Sequence, residues 1–339
     1  MKKIQYIFLL PILVIALSAC ERLDIGGIFG LTEPHHNERF KQSIEWNKQH
    51  SLAEGLEDDC LAHIQSKYDM YQLFWAADLH IDKTTVMLDT LIRMALGIYT
   101  IEGHDVYIED NCTAVIFAGD VIDGKGNFPR VFDALKPLEE AGIPIFNTPG
   151  NHDLCFGQWK EYIQYWPTSC YWFDITTPSG KKDLYISCDS GDAAFGKPQL
   201  DWLKATLERK SKEGYRHIIF FTHTHLFKRD SNNAHGANFS VEEVYEVSNL
   251  LSKYHVEYYI NGHDHTHEET KYKNVKYYTI GAMKDSHLGF AAYMTMTVYA
   301  TTGNDVSPID VVLHRMSGEE YFGWEDLEAL EELEELDQE

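Results

Sequence analysis

Short apolar runs recur along the chain and alternate with helix-like segments. Five of these runs, each about six residues long and rich in Ile, Val, Phe and Tyr, predict buried strands. They lie at 71–77, 113–118, 143–148, 217–222 and 256–261. The intervening segments predict helices near 84–99, 129–140, 198–211 and 241–253. Regular alternation of strands and helices is typical of an α/β domain, which we place at residues 37–318.

Three later apolar runs follow one another without long helices between them, at 275–282, 291–300 and 309–315. They predict a meandering β region that forms a second sheet.

The aromatic stretch at 155–173 has two interpretations: it lines a substrate pocket, or it forms a helix and a strand that pack into the core. We favour the core interpretation.

The first twenty residues have the layout of a secretory signal. Lys2 and Lys3 precede an apolar run of 16 residues at 4–19, which is short for a spanning helix of about 20 residues. The run ends in the letters LSAC at 17–20. This ending resembles a bacterial lipobox, in which the chain is cut before the cysteine and the cysteine is lipidated.

Residues 1–19 are therefore predicted to be a lipoprotein signal peptide, with a lipid on Cys20 and a tether at 20–36. The alternative is an uncleaved membrane anchor. Either way, the bulk of the protein is expected outside the cytoplasm, attached to a bacterial membrane. Glu21 stands where an aspartate would retain a lipoprotein at the inner membrane, which favours the outer membrane.

An acidic tail occupies residues 319–339, and four leucines recur in it with helical spacing: Leu327, Leu330, Leu333 and Leu336. The tail predicts a helix with a narrow apolar edge. It is either a partner-docking helix or a solvated terminal helix, and we favour the solvated helix.

The chain of 339 residues carries 29 Lys and Arg against 53 Asp and Glu, a formal net charge of -24. This balance argues against a general nucleic-acid binder, because phosphate affinity is driven by Lys and Arg. A content of 44% hydrophobic residues argues against disorder over most of the chain. No protein partner is indicated. The five cysteines after Cys20 show no CxxC pairing, so no zinc knot is predicted, and the sequence assigns no disulfide bonds.

Each of the five early strands is followed by residue types that bind metals. Because ligands bind outside the carboxyl ends of strands in α/β sheets, we expect these groups to converge. They are Asp78 and His80, then Asp120 and Asp123, then Asn151 and His152, then His223, and last His263 and His265.

Metal ions would resolve an electrostatic problem at this site. Asp78 and Asp120, packed together without a counter-charge, would repel each other and raise a pKa. Two divalent cations remove that repulsion. A set of carboxylate oxygens and imidazole nitrogens suits Mn, Fe, Zn or Ni better than Ca or Mg.

The order of these motifs resembles that of the calcineurin-like metallophosphoesterase superfamily: D-x-H, GD-x-x-D, GNH-D/E, a lone H, and GH-x-H. All five elements occur here between Asp78 and His265. The resemblance implies two packed mixed β-sheets flanked by helices, in four α/β/β/α layers. For the lone histidine the segment offers His223 and His225. His223 is chosen because the family places this ligand directly after the strand.

The resemblance also implies a role for each residue. One ion would be held by Asp78, His80, Asp120 and His265. The other would be held by Asp120, Asn151, His223 and His263, with Asp120 as the bridging carboxylate. His152 would assist the leaving group and be oriented by Asp123, while Asp153 would support the loop that carries His152. The implied activity is hydrolysis of a phosphoester by a metal-activated water that attacks phosphorus.

Two alternatives remain open at this point. The protein could be a metal-binding scaffold without catalysis, although such relatives are expected to lose ligands and none is missing here. It could instead be a purple-acid-type phosphatase, although that group carries a tyrosine at the position of Asp123.

A small phosphoester is the preferred substrate, and the choice between monoester and diester is left open.

Lipidation gives a direct test of the N-terminal prediction. Cells labelled with a radioactive fatty acid should transfer the label to the wild-type protein and not to Cys20→Ala, because the thiol at residue 20 is the only attachment point that the lipobox provides. Equal labelling of the two proteins would contradict the lipoprotein interpretation.

Overall fold

A computed structural model describes residues 34–50, 59–101, 104–107, 112–124, 126–155, 157–227, 239–285, 291–301 and 308–315. The predicted signal peptide, Cys20, the tether up to residue 33 and the acidic tail lie outside these residues. Within the described ranges, no helix has both the length and the hydrophobicity needed to cross a bilayer.

The described part of the chain is built from strands and helices that alternate in sequence. The strands are β1 (Cys60–Gln65), β2 (Tyr71–Ala76), β3 (Ile98–Ile101), β4 (His104–Tyr107), β5 (Cys112–Phe117), β6 (Ile145–Asn147), β7 (Tyr171–Thr176), β8 (Lys182–Ser187), β9 (His217–Phe221), β10 (Tyr258–Asn261), β11 (Glu268–Tyr272), β12 (Val275–Thr279), β13 (Ala292–Val298) and β14 (Ile309–Arg315). The helices are α1 (His36–His50), α2 (Val86–Ala95), α3 (Phe128–Glu140), α4 (Asn151–Leu154), α5 (Trp159–Tyr162), α6 (Gly196–Lys210) and α7 (Val241–Lys253).

Two mixed sheets form the centre of the fold. One has seven strands in the order β1-β7-β8-β9-β10-β12-β11, and the other has five in the order β14-β13-β2-β5-β6. Within the first, β8, β9, β10 and β12 are parallel. Within the second, β2, β5 and β6 are parallel. The strands β3 and β4 form a separate antiparallel pair.

The two sheets pack face to face, and the alternation of side chains along each strand explains how. In β2, Leu73 and Trp75 point into a core shared with the seven-stranded sheet, whereas Phe74 packs with the helices α2 and α3. The outer face of the seven-stranded sheet is covered by α6 and α7. The predicted four-layer α/β/β/α architecture is therefore confirmed.

The prediction that the last three runs belong to a second sheet is correct for two of them and wrong for the first. β12 joins the seven-stranded sheet beside β10, whereas β13 pairs antiparallel with β2 and β14 extends that sheet. The chain changes sheets just after β12, where Ala282 forms a bridge with Ala77. The inner faces of the two large sheets cover each other. A further sheet would have no such face to pack against, so these strands extend the two existing sheets.

The aromatic stretch at 155–173 packs into the core, as favoured above. Trp159 and Trp172 are buried, and so is Tyr162. Among the described residues, no disulfide bond links any of the five cysteines Cys60, Cys112, Cys155, Cys170 and Cys188.

The helix α1 is attached to the domain mainly through polar side chains. Its buried residues recur at helical spacing and are His36, Arg39, Phe40, Ser43 and Asn47. Ser43 lies 3.0 Å from the hydroxyl of Ser169, and Asn47 donates to the carbonyl of Cys170 at 2.6 Å. This stripe is polar, so hydrophobic periodicity did not reveal the helix.

Arg39 is the central contact of α1. Its guanidinium is fully buried and donates to both oxygens of Asp189, at 2.7 and 2.9 Å, and to Asp192 at 3.0 Å. Burial opposes ionisation of Asp192, but His36 and Arg39 outweigh it and hold the pKa of that carboxyl at about 2. The guanidinium of Arg39 thus bridges two buried carboxylates, with His36 as a further partner of Asp192.

Removing the guanidinium should destabilise the domain strongly. Arg39→Met removes the guanidinium that pairs with two buried carboxylates, so we expect a loss of about 3–5 kcal/mol in the free energy of unfolding. Denaturant unfolding followed by tryptophan fluorescence measures it. The control is Lys197→Met, which removes an exposed ion pair with Asp201 and should leave the unfolding midpoint unchanged. Similar midpoints for both variants would show that α1 is not held by Arg39.

Candidate metal centre

Polar residues that follow five strands meet at one edge of the two sheets. β2, β5 and β6 supply them from the five-stranded sheet, and β9 and β10 supply them from the seven-stranded sheet. The segments after β2 and β5 continue side by side. The amide of Asp78 donates to the carbonyl of Gly119 at 3.0 Å, and that of His80 donates to the carbonyl of Asp120 at 3.0 Å. The site therefore spans both sheets.

Seven side chains that carry lone pairs converge at this edge, and we call them the donor cluster: Asp78, His80, Asp120, Asn151, His223, His263 and His265. All seven are buried or partly buried. The convergence predicted from the strand ends is therefore observed. The cluster divides into two groups of contacts.

The first group contains His80, His265 and Asp78. The Nε2 atoms of the two histidines lie 3.0 Å apart. The Oδ1 atom of Asp78 lies 4.0 Å from Nε2 of His80 and 3.6 Å from Nε2 of His265. Ligand atoms at these separations can surround a single ion.

The second group contains His223, His263 and Asn151. The Oδ1 atom of Asn151 lies 3.1 Å from Nε2 of His223 and 3.0 Å from Nδ1 of His263. Those two nitrogens are 3.2 Å apart. His225, the lesser candidate from the sequence, accepts the amide of Phe227 through Nδ1 at 3.1 Å. The structure thus places His223, rather than His225, beside Asn151.

Asp120 belongs to both groups. Its Oδ2 atom lies 3.8 Å from Nε2 of His80 and 3.3 Å from Nε2 of His223. Its Oδ1 atom accepts the amide of His152 at 2.8 Å. A carboxylate between two groups of donors is positioned as a bridging ligand must be.

The chemistry of the donors fits a cation. Nδ1 of His223 lies 2.8 Å from the carbonyl of Ala118, so this nitrogen carries the proton and donates it. As a metal ligand, His223 would be neutral at Nε2 and would direct that lone pair towards an ion shared with the oxygens of Asn151 and Asp120. Lone pairs that face one another repel unless positive charge lies between them.

The pKa values of the site residues also indicate that positive charge is favoured there. Burial lowers the pKa of His223, but Asp120 and Asp78 outweigh it and raise the pKa to about 10. Burial raises the pKa of Asp78 to about 7, and the charge of Asp120 adds to the rise. The predicted rise is confirmed, with burial as the larger cause. Burial also lowers the pKa of His265 to about 3, which leaves a neutral imidazole of the kind that binds metals.

Five members of the donor cluster have left-handed backbone conformations, which cost residues other than glycine about 1–2 kcal/mol each. They are Asp78, His80, Asp120, His263 and His265, with φ of 53°, 46°, 52°, 77° and 54°. Such strain at one site is typical of positions where the surroundings demand a particular side-chain direction.

Two glycines let the backbone approach the carboxylates. A Cβ on Gly150 would lie 2.0 Å from Oδ1 of Asp120, and a Cβ on Gly262 would lie 2.7 Å from Oδ2 of Asp78. Neither position tolerates a side chain without moving an aspartate. These two glycines therefore permit the backbone to pass close to the carboxylates.

His152 lies next to the donor cluster, with its ring centroid 4.4 Å from that of His80. Its Nδ1 atom is 3.0 Å from Oδ1 of Asp123. Burial lowers the pKa of His152, but Asp120 and Asp123 outweigh it and raise the pKa to about 9. The predicted pairing of His152 with Asp123 is thus present, and it leaves Nε2 for another partner.

Asp153 and Ser190 hold the loops of the site in place. Asp153 accepts the amides of Val121 at 3.0 Å and Gly150 at 2.9 Å, and so joins two loops of the site. Ser190 accepts the amides of His223 at 3.2 Å and Thr224 at 2.8 Å. Ser190 was not identified from the sequence, because a serine in a loop carries no spacing signal.

A third cluster, formed by His35, His36 and Asp192, lies at the start of α1. Asp192 already pairs with Arg39, and the amides of a helix N-terminus face the same region. Both features repel a cation, so we assign this cluster a structural role.

Sequence reasoning also missed Lys284, which is 6% exposed and follows β12. Its charge acts on five residues of the site: Asp78, His80, Asp123, His152 and His265. A lysine after a strand is usually a solvated loop residue, so its sequence position gave no signal. Three loop histidines have sequence positions that could flank the site: His235 and His287 lie outside the described residues, and Nδ1 of His267 lies 3.1 Å from the carbonyl of Thr279.

Comparison with known proteins places the donor cluster in a family context. A family model described as calcineurin-like phosphoesterase matches residues 73–267, which include the whole donor cluster. No curated protein matches the sequence.

Two solved structures have a similar fold. Purple acid phosphatase PPD1 from yellow lupin seeds is 13% identical, with a TM-score of 0.54, over 74% of this chain and 52% of the lupin chain. GAP50, the anchor in the inner membrane complex of Plasmodium, is 14% identical, with a TM-score of 0.51, over 73% of this chain and 89% of that chain. At these identities the likeness is one of fold.

A side chain at residue 150 should displace Asp120. The backbone of Gly150 has φ of -96° and admits any residue, so in Gly150→Ala the contact with Asp120 is the only fault. We expect metal affinity to fall about 10- to 100-fold, the usual effect of disturbing a ligand's support. Elemental analysis after equilibration at graded metal concentrations measures it.

The matched control is Gly180→Ala, at the opposite end of the sheet, where an added Cβ meets no atom within 4 Å. Its positive φ of 79° should cost about 1 kcal/mol of stability and leave metal affinity unchanged. Full metal affinity in Gly150→Ala would contradict the steric argument.

Proposed function

This chain belongs to the calcineurin-like phosphoesterase family, and from that premise we propose that it is a metal-dependent phosphoester hydrolase. The observation that carries the proposal is the position of Asp120 between two groups of donors. Asp78, His80, Asp120 and His265 would hold one divalent ion, and Asp120, Asn151, His223 and His263 would hold the other. Mn, Fe, Zn and Ni all suit this donor set.

Two such ions, when bound, neutralise phosphate oxygens and lower the pKa of a coordinated water. The other contributions come from the protein. Asn151, within the donor cluster, and His152, beside it, would stabilise charge that develops on the phosphate oxygens. Asp153 and Ser190 hold these loops through backbone amides, so little reorganisation is needed during the reaction.

His152 would act as the general acid. Its Nδ1 faces Asp123, so Nε2 is the nitrogen that can donate a proton to the departing oxygen. Asp120 and Asp123 both raise the pKa of His152, which favours the ring that carries this proton. Asp123 would orient the ring and favour its charged form, as a carboxylate does for a catalytic histidine.

Fold alone does not separate an enzyme from a scaffold, because one similar structure is a phosphatase and another is an anchor protein. The side chains favour the enzyme. Besides a complete donor cluster, the chain keeps the pair of His152 and Asp123, which a purely metal-binding scaffold does not need.

The carboxylate of Asp123 occupies the place where purple acid phosphatases are expected to carry a tyrosine, which disfavours that alternative.

The location of the protein remains a sequence-based proposal. A lipid on Cys20 would attach it to the membrane outside the cytoplasm, so its substrates would be small extracytoplasmic phosphoesters. The net charge of -24 disfavours long polyanions such as nucleic acids.

A panel of model substrates tests the activity. The purified protein should hydrolyse p-nitrophenyl phosphate or bis-p-nitrophenyl phosphate when supplied with at least one of Mn, Mg, Zn or Ni, because the donor set admits several divalent ions. Release of p-nitrophenol measures the rate. If no metal supports hydrolysis of either ester, the scaffold alternative is preferred.

Substitutions can separate the role of His152 in catalysis from the role of Asp120 in metal binding. His152→Ala should retain bound metal and lose about 10²- to 10⁴-fold in kcat, the usual contribution of a general acid. Asp120→Ala should lose metal, since both groups of donors share its carboxylate. Elemental analysis and steady-state kinetics distinguish the two results, with the exposed His50→Ala as control. Normal turnover by His152→Ala would refute the role of His152.

A further inference from the structure

Lys284 is fixed at the site by the residues on either side of it. The amide of Met283 donates to the carbonyl of Ala77 at 3.1 Å, directly before Asp78. On the other side, Asp285 accepts the amide of Met87 at 2.8 Å and so caps the N-terminus of α2. The backbone of Lys284 is thereby held against the segment that carries Asp78 and His80.

The side chain of Lys284 is largely buried and forms no close ion pair. The residue is 6% exposed, and among the described residues no acceptor lies within hydrogen-bond or ion-pair distance of Nζ. Lysines are seldom buried to this extent unless they are paired. The ammonium of Lys284 can therefore bind an anion that enters the site.

The ammonium acts on the side of the site that carries His152. Burial is the largest cause of the lowered pKa of His265, and the charge of Lys284 is the next. The same charge acts on His80 and His152 and on the carboxyl of Asp123. The ammonium of Lys284 therefore adds positive charge on the side of the site where His152 would meet a phosphate, and such charge attracts an anion.

We propose that Lys284 is a substrate-binding residue that contacts a non-bridging phosphate oxygen and favours phosphomonoesters over phosphodiesters. This inference rests on the proposed function. A monoester near pH 8 carries close to two negative charges, because the second pKa of a phosphate is about 6, whereas a diester carries one. Lysine binds phosphate as a point charge, so one added positive charge stabilises the dianion more. Lys284 also lies beyond residues 73–267, which match the family model.

The test compares Lys284→Gln with wild type at pH 8 in the same metal. For p-nitrophenyl phosphate we expect kcat/KM to fall about 10- to 100-fold, as for loss of a charged hydrogen bond. For bis-p-nitrophenyl phosphate we expect a fall of less than about threefold. Lys284→Arg should restore most of the monoester activity, since it restores the charge. The control Lys271→Gln removes the same charge from an exposed position on β11 and should change neither rate.

Binding provides a readout that does not depend on turnover. Inorganic phosphate, titrated calorimetrically into the metal-loaded protein, should bind about 10- to 100-fold more weakly to Lys284→Gln than to wild type. Metal content by elemental analysis should be equal in the two proteins. If the glutamine variant does not fold, Lys284→Met keeps the length of the stem without the charge.

The outcomes separate this inference from the proposed function. An equal fall for both esters, an unchanged affinity for phosphate, or loss of metal from Lys284→Gln would overturn the role of Lys284. If wild type hydrolyses neither ester, the proposed function fails. In that case weaker phosphate binding by the variant would still support Lys284 as an anion-binding residue.

Discussion

The carboxylate of Asp120 must stay charged while only 1% of the residue is exposed, and the arrangement of the site depends on that requirement. Its Oδ1 accepts the amide of His152, while its Oδ2 faces a histidine from each group of donors. A buried charge is tolerated only when such partners surround it. The absence of a side chain at Gly150, and the paired loops after β2 and β5, follow from the need to bring those partners close.

Because the donors come from both sheets, their geometry depends on how firmly the sheets are joined. The rings of Phe146 and Phe173 stack across the interface with centroids 3.8 Å apart, and Trp75 meets Phe221 edge to face at 5.5 Å. Large interlocked rings resist sliding, since a shift would open cavities. The β-bridge between Ala282 and Ala77 adds a hydrogen-bonded contact between the sheets, next to Lys284. The core thus fixes the metal site as well as the fold.

The sequence predicted the site well because its signals are local. Asp78, Asp120 and His263 each follow a recognisable apolar run, and the family resemblance gave them an order. The sequence did not predict which sheet each late strand joins. β13 pairs with β2, more than two hundred residues earlier, and nothing in either run specifies the partner. The helix α1 was hidden for another reason: its buried stripe is polar, and an ion pair replaces the apolar contact that periodicity detects.

Folding and function make opposite demands at the five left-handed positions of the donor cluster. At about 1–2 kcal/mol each, their strain sums to roughly 5–10 kcal/mol, comparable with the net stability of about 5–15 kcal/mol that a whole domain has. Glycine or asparagine would adopt the same backbone at lower cost. Selection for folding alone would therefore remove these histidines and aspartates over generations, so a lineage that ceased to use the site would lose its residues here sooner than it lost its core.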